Sequence, residues 1–373
     1  MLASLLMLPA CRRDANFDLS DFNEEVYTPA YADGYELLAD GHNRILLRTL
    51  SPWQGADSAA VATLLILPEG ADAPAGYDGQ VLNGPANRIA CMSSSYVAML
   101  ETLGAGDRVA AVSGIDFISS PTIQRNRNLI PDVGYDGNID YEKLAAAAPD
   151  LALLYGVNGA SGMEPKLKQL GIPYAYIGEY MEDNPLGKAE WLVALGAMTG
   201  KLTEAVNAFR GIPQRYDSLR RMVMHPACRP KVMLNAPYAD SWIMASPHSY
   251  MAQLIADAGA EYIFSDSAAT TATPVDMEQA YLMACNADYW INPGVFTDLG
   301  QMKVQLPHFS DVPPVKSGNV WNCNLHKTPG GGNDFWESGV VNPDRILSDL
   351  IRIFHPDALS DTTLVWNYFK RLE

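Results

Sequence analysis

The sequence predicts an α/β protein of two lobes, each built around a central parallel sheet, bridged by a single long helix. Three observations predict it. Short apolar runs of strand length alternate with helix-length segments on both sides of the middle of the chain. A long run of helical spacing, Asn184 to about Met224, lies between the two sets. Two stretches also recur in the same order: Ser95-Tyr96-Val97-Ala98-Met99-Leu100 resembles Ser249-Tyr250-Met251-Ala252-Gln253-Leu254, and Lys143 to Gly156 resembles Tyr281 to Gly294.

The chain has 373 residues, 48% of them hydrophobic, enough for two cores of ordinary size. A formal net charge of -17 argues against nucleic acid and against an anionic membrane surface as partners. No internal run approaches the ~20 apolar residues of a spanning helix.

Residues 1–10 are apolar and uncharged, then Cys11 precedes Arg12 and Arg13. Leu8-Pro9-Ala10-Cys11 resembles a lipobox, with Leu three before the Cys and a small residue just before it. This predicts a signal peptide over 1–10, lipid attachment at Cys11 and a polar tether over 11–28. The other cysteines, Cys91, Cys228, Cys285 and Cys323, form no CxxC or other metal-ligand spacing.

The N-terminal lobe is expected over 29–183. It opens with an antiparallel meander through Tyr35, Arg44–Arg48 and Ala62–Leu67, followed by a Pro/Gly-rich loop over 68–86. Arg88–Met92, Val109–Val112, Leu151–Tyr155 and Pro173–Gly178 read as strands, with helices from Tyr96, after Asp140 and over Glu164–Leu170. The linker helix is expected over 184–224: Asn184 suits an N-cap, Pro185 the first turn, and Gly200 marks a C-cap or kink. The C-terminal lobe, 225–373, has strands at Pro230–Asn235, Asp288–Asn292 and Val320–Asn324. Helices are expected from Ser246 to Ala258, from Met277, from Asn342 to Ile353, and over about Leu364 to Arg371.

Ligands of open α/β sheets sit at the carboxyl ends of strands, against helix N-termini. Ser94, Ser95 and Tyr96 are therefore candidates in the first lobe, with Ser93-Ser94-Ser95 equally suited to plain N-capping. Aromatics cluster after predicted strands, and Tyr155, Tyr238, Trp242 and Trp336 suit a flat or bulky ligand. His248 and His326 are weaker candidates, and Asn333 sits in the Gly-rich loop Pro329–Trp336 at the cleft edge. No HxH, HExxH or GxSxG spacing occurs, so no metal site, cofactor or catalytic residue is assigned.

From Asn87 to Ala358 the chain resembles the periplasmic binding proteins of iron-siderophore, haem and vitamin B12 ABC transporters, the class with two lobes joined by one long helix. The pieces that carry the resemblance are Asn87–Ser95, Leu103–Ser113, Pro131–Gly134, Ala148–Leu151, Gly318–Trp321 and Phe354–Pro356. The N-terminal meander and Asn333-Asp334-Phe335-Trp336-Glu337 resemble a branch common in Bacteroidetes lipoproteins. The resemblance implies a non-enzymatic, monomeric, lipid-anchored periplasmic protein that holds a metal chelate between its lobes and delivers it to an ABC permease. It implies limited lobe movement, and acidic docking residues on the first helix of each lobe. Ala98 stands where the family carries Glu, leaving Glu101 and Asp257 as the nearest acids, and Ser94 replaces the Pro of the family's Pro-Ser turn. Siderophore, haem and cobalamin all remain open. An enzyme acting on a metal chelate is the competing reading, which co-location of His326 and Asp334 would favour. A purely structural lipoprotein is a third.

Overall fold

The computed structural model describes residues 18–135, 137–157, 159–238, 241–359 and 365–373. Cys11 and the expected signal peptide lie outside the described residues. The described chain opens with a five-stranded sheet: β1 (Glu24–Tyr27), β2 (Tyr35–Ala39), β3 (Ile45–Leu50), β4 (Val61–Leu67) and β5 (Gln80–Asn83). The strands lie in sequence order, antiparallel except for the β4–β5 pair. Two expectations are corrected here. Residues 18–27 are folded, as a 3-10 turn and β1, where a tether was expected, and β5 lies inside the expected loop. β5 pairs along one edge and is only four residues long, too short to announce itself by alternation.

The N-terminal lobe follows: β6 (Ile89–Cys91), α1 (Ser94–Thr102), β7 (Val109–Val112), α2 (Pro121–Arg125), α3 (Tyr141–Ala147), β8 (Leu151–Leu154), α4 (Glu164–Leu170) and β9 (Tyr174–Tyr176). Its sheet runs β7-β6-β8-β9, all parallel. Every residue of β8 is buried, which a strand covered on both faces requires.

The central run divides into α5 (Pro185–Met198) and α6 (Leu202–Met222). Asn184 caps α5 by accepting the Leu186 N–H, with Pro185 in the first turn. Gly200, at φ 69°, ends it in the left-handed conformation, so the C-cap alternative holds and the run is two helices. All fourteen residues of α5 are buried. The 21-residue α6 is the spine, about 31 Å long at 1.5 Å per residue. It buries one stripe, Ala205, Phe209, Ile212 and Tyr216, and shows its other face to solvent.

The C-terminal lobe contains β10 (Lys231–Leu234), β11 (Ser241–Met244), α7 (Tyr250–Asp257), β12 (Glu261–Tyr262), β13 (Thr273–Asp276), α8 (Met277–Cys285), β14 (Tyr289–Ile291), α9 (Leu299–Gln305), α10 (Pro313–Ser317), β15 (Val320–Asn322), α11 (Pro343–Phe354) and β16 (Lys370–Arg371). Its sheet runs β12-β10-β14-β15-β16, parallel apart from β16, while β11 and β13 form a separate antiparallel ribbon. Counted within its own lobe, each set of four parallel strands has the order 2-1-3-4. The sequence repeat thus reflects a repeated topology.

The expected final helix is not formed. Asp349 of α11 accepts the backbone N–H groups of Asn367, Tyr368 and Phe369, and Tyr368 and Phe369 are buried. That anchoring draws the end of the chain out as extended backbone and into β16. A single apolar core joins Cys91 and Met99 of the N-terminal lobe, Trp191 and Leu192 of α5, and Leu254 and Leu350 of the C-terminal lobe.

Candidate binding cleft

The loops at the carboxyl ends of both sheets carry apolar side chains that the core does not take up. Phe117 follows β7 and is 45% exposed, and Val157 follows β8 at 51%. Tyr238 follows β10 at 79%, and Val295 follows β14 at 69%. Asn235 and Asn292, at φ 67° and 54°, turn the chain as it leaves β10 and β14; asparagine tolerates this left-handed region better than most residues. Tyr135 meets Phe117 edge-on at 5.9 Å, and Tyr155 meets Tyr180 at 6.4 Å.

One segment of the C-terminal lobe closes onto the N-terminal lobe. Glu337 is buried, and its two carboxylate oxygens accept the backbone N–H groups of Ser119 at 2.6 Å and Ser120 at 2.8 Å. Asp334 accepts the Ser119 hydroxyl at 3.0 Å, and Thr328 donates to the carbonyl of Asp116 at 2.7 Å. Gly332 packs so closely on this loop that a Cβ there would lie 1.8 Å from the Phe117 carbonyl oxygen. Burial pushes the Glu337 carboxyl up to about 7, against the pull of the Ser119 and Ser120 hydrogen bonds and with Asp334 adding repulsion.

Beneath the first turn of α1 lies a second polar cluster. Ser93 caps α1, and its Oγ lies 2.8 Å from Ser95 Oγ. Ser95 Oγ donates to Oε1 of Glu179 at 2.6 Å. Glu179 is buried, and its Oε2 has no hydrogen-bond partner. The buried Lys188 ammonium donates to the Glu179 carbonyl at 2.9 Å and lies 5.1 Å from the ring centre of Tyr250, in the first turn of α7. Burial raises the Glu179 carboxyl and lowers the Lys188 ammonium, and each opposes the other's shift.

The residues singled out in the sequence divide by placement. Ser94, Tyr155, Tyr238 and Trp336 keep accessible surface, Tyr238 most of all. Trp242 is fully enclosed, its indole N–H on the Leu234 carbonyl and its ring against Trp290 and Phe309. Tyr96 is equally enclosed, its hydroxyl between the carbonyls of Leu154 and Ile177. Ser95 is buried on Glu179. These three offer no surface to a ligand, correcting the expectation for them; a buried aromatic after a strand has the same sequence signature as an exposed one. Asn333 spends its side chain on Cys323 Sγ and on the turn at Phe335. His248 lines a cavity of about 460 Å³ with Asp183 and Asp257, and neither Tyr155, Tyr238 nor Trp336 contributes to that lining.

His326 and Asp334 do line one cavity of about 600 Å³, together with Glu101 and Glu337. The Asp334 carboxylate is taken by the hydroxyls of Ser119 and Ser338, however, so it does not orient the imidazole as a catalytic acid would. Glu101 accepts the Ser120 hydroxyl, and Asp257 accepts the Tyr216 hydroxyl at 2.8 Å beside Arg220. Both candidate docking acids are engaged within the chain. No group of three or more His, Cys, Asp or Glu that would hold a metal ion occurs among the described residues. Sequence reasoning missed Glu337, Glu179 and Lys188; each has another charged residue within four positions, so no local pattern marks it as buried.

Two parallel α/β lobes of equal topology, joined by one helix and facing a shared set of loops, define a binding protein of the interlobe-cleft class. The chain belongs to the periplasmic binding protein family, whose model matches residues 89–324. It is 28% identical over 303 residues to an uncharacterized lipoprotein of Methanocaldococcus jannaschii, covering 78% of this chain and 70% of that one. Among solved structures it resembles a periplasmic heme binding protein from Pseudomonas aeruginosa, with a TM-score of 0.59 and 17% identity over 77% of this chain and 98% of that one. It also resembles the periplasmic vitamin B12 binding protein of Vibrio cholerae, with a TM-score of 0.53 and 16% identity over 72% and 97%.

Proposed function

We propose that this protein is the substrate-binding component of an ABC importer, capturing a metal chelate between its lobes and handing it to a membrane permease. The ligand class is an iron siderophore, haem or a cobalamin. The reading places the protein in the periplasm, anchored through lipid on Cys11 and acting as a monomer. One observation carries it: Phe117 and Val157 from one lobe, and Tyr238 and Val295 from the other, are exposed at the carboxyl ends of their sheets. Side chains of this size left in water at the site where such folds bind ligands suit a large, partly apolar guest. The continuous core through α5 suits a cleft that changes shape little on binding.

The test is fluorescence titration of the chain lacking residues 1–11 with haemin, cyanocobalamin, a ferric hydroxamate and a ferric catecholate, each corrected for absorption by the chelate. Saturable quenching by one of them supports the reading. Absence of binding by all four contradicts it.

A further inference from the structure

We infer that the five-stranded sheet at the start of the described chain shapes the cleft: Trp53 and Gln54, on the turn between β3 and β4, are positioning residues that hold the loop after β8, and with it Tyr155 and Val157, in the arrangement that receives the chelate. The ligand half rests on the importer reading; the positioning of the loop does not. The strands of this sheet lie within residues 24–83 and the family match begins at residue 89, so the match itself assigns the sheet no role.

The loop needs support from outside itself. Tyr155 to Gly162 carries Gly156, Gly159 and Gly162, and glycine loses more conformational freedom than other residues when it is fixed. Val157 is mostly in solvent, so its own side chain does little to anchor it. Support comes at Gly156. Its carbonyl accepts the Gln54 backbone N–H at 2.9 Å and the Tyr180 hydroxyl at 2.6 Å, and its N–H donates to that hydroxyl at 3.4 Å. Trp53 stands against the same residue: a Cβ added to Gly156 would lie 2.5 Å from Trp53 Cβ. The Trp53 ring meets Tyr176 of β9 edge-on at 5.4 Å, while the Tyr180 ring meets Tyr155. Gly156 is therefore held between one aromatic of the lobe and one of the added sheet.

The turn that supplies this support is itself fixed. The Ser51 N–H donates to the Ala60 carbonyl at 2.9 Å and the Ala56 N–H to the Trp53 carbonyl at 3.0 Å, and Pro52 is buried. Glu182 of the lobe accepts the N–H groups of Asp33 and Gly34 at 3.2 and 3.0 Å, just before β2. The C-terminal lobe shows what the sheet adds. Gly294 is the counterpart of Gly156 in the internal repeat, and its carbonyl accepts the side-chain amide of Asn322, the last residue of β15, at 2.9 Å. The last residue of the corresponding strand, Tyr176 of β9, spends its hydroxyl on Glu164 and on the Ser161 N–H instead. The N-terminal lobe thus takes from Gln54 and Trp53 part of the support that the C-terminal lobe finds in its own sheet.

The experiment reads two quantities in Trp53→Ala: hydrogen-exchange protection of the Gln54 and Gly156 amides without ligand, and calorimetric affinity for whichever of haemin, cyanocobalamin, a ferric hydroxamate and a ferric catecholate binds the wild type. Protection is expected to fall at least about tenfold, and affinity to weaken at least about fivefold. Trp53→Phe, which keeps a ring against Tyr176, should stay within about twofold of the wild type in affinity. Gly156→Ala, which pushes the loop off Trp53, should repeat the loss, and carries the test if Trp53→Ala fails to fold. Thr49→Val is the control for lost stability alone. It removes the buried bond from the Thr49 hydroxyl to the Tyr176 carbonyl, at 2.9 Å, without touching the turn. It should lower the unfolding midpoint and leave affinity within about twofold. Unchanged protection in folded Trp53→Ala overturns the inference. So does unchanged affinity in that variant, or a loss in Thr49→Val as large as its own, either of which makes the sheet a stabiliser only and leaves the importer reading intact. If none of the four chelates binds the wild type, the importer reading fails, and the protection measurement alone decides whether Trp53 and Gln54 hold the loop.

Discussion

Glu337, in the C-terminal lobe, accepts the backbone N–H of Ser119, in the N-terminal lobe, at 2.6 Å. With the Ser120 N–H at 2.8 Å on its other oxygen, one buried carboxylate satisfies two consecutive donors across the lobe boundary. Glu337→Ala leaves both N–H groups without a partner in a buried place. The expected loss is about 2–4 kcal/mol of unfolding free energy, read by urea denaturation, with faster amide exchange over residues 115–120.

The same carboxyl makes stability depend on pH in a defined direction. Its folded value, about 7, lies above the ordinary 4.5, so the folded protein holds that proton more tightly than the unfolded chain. Stability from this group is therefore present below pH 4.5 and is lost as pH rises through about 7. The span amounts to roughly 3 kcal/mol. Subtracting the pH–stability curve of Glu337→Gln from that of the wild type should give a line falling between those values; a flat difference contradicts the assignment.

Gly332→Ala tests the closeness of the loop. A Cβ 1.8 Å from the Phe117 carbonyl oxygen cannot be accommodated, and the obstacle is backbone, not a flexible side chain. The Gly-rich segment should lift off, shown by faster amide exchange at Thr328 and Gly331, while the core of α5 keeps its protection.

The N-terminal segment is held by a different acid. Glu190, fully buried in α5, accepts the Tyr27 hydroxyl at 2.6 Å and the N–H groups of Ala30, Tyr31 and Ala32 at 2.7–2.9 Å. Glu190→Ala should release residues 27–34 and destabilise the protein by about 2–4 kcal/mol, the order expected when several part-buried donors lose their acceptor. Limited proteolysis should then cut in that segment first.

Much of the architecture was legible in the sequence because periodicity and caps are local. Asn184-Pro185 marked the start of α5, and the Ser95–Leu100 repeat pointed to a repeated lobe. The polar links were not legible. Glu337 to Ser119 spans 218 positions, and Glu190 to Tyr31 spans 159, distances at which no spacing rule operates. Trp242 and Tyr238 differ in the same way: both are aromatics after β10, and only the packing of Trp290 and Phe309 buries one and leaves the other in solvent. The segment before β16 misled because its apolar residues satisfy a helical pattern, while Asp349 binds its backbone in an extended form.

That contrast separates stability from binding. Trp242→Ala should cost about 3–5 kcal/mol of stability, whereas Tyr238→Ala should stay within about 0.5 kcal/mol. The central claim, a ligand held between the lobes, is tested most directly by measuring the affinity of Tyr238→Ala and Phe117→Ala for the chelate that quenches the wild type among haemin, cyanocobalamin, ferric hydroxamate and ferric catecholate. One residue lies in each lobe and both are exposed. The account predicts that each substitution weakens binding at least tenfold with unfolding unchanged. Binding that neither substitution alters, or that only one lobe supports, would contradict it.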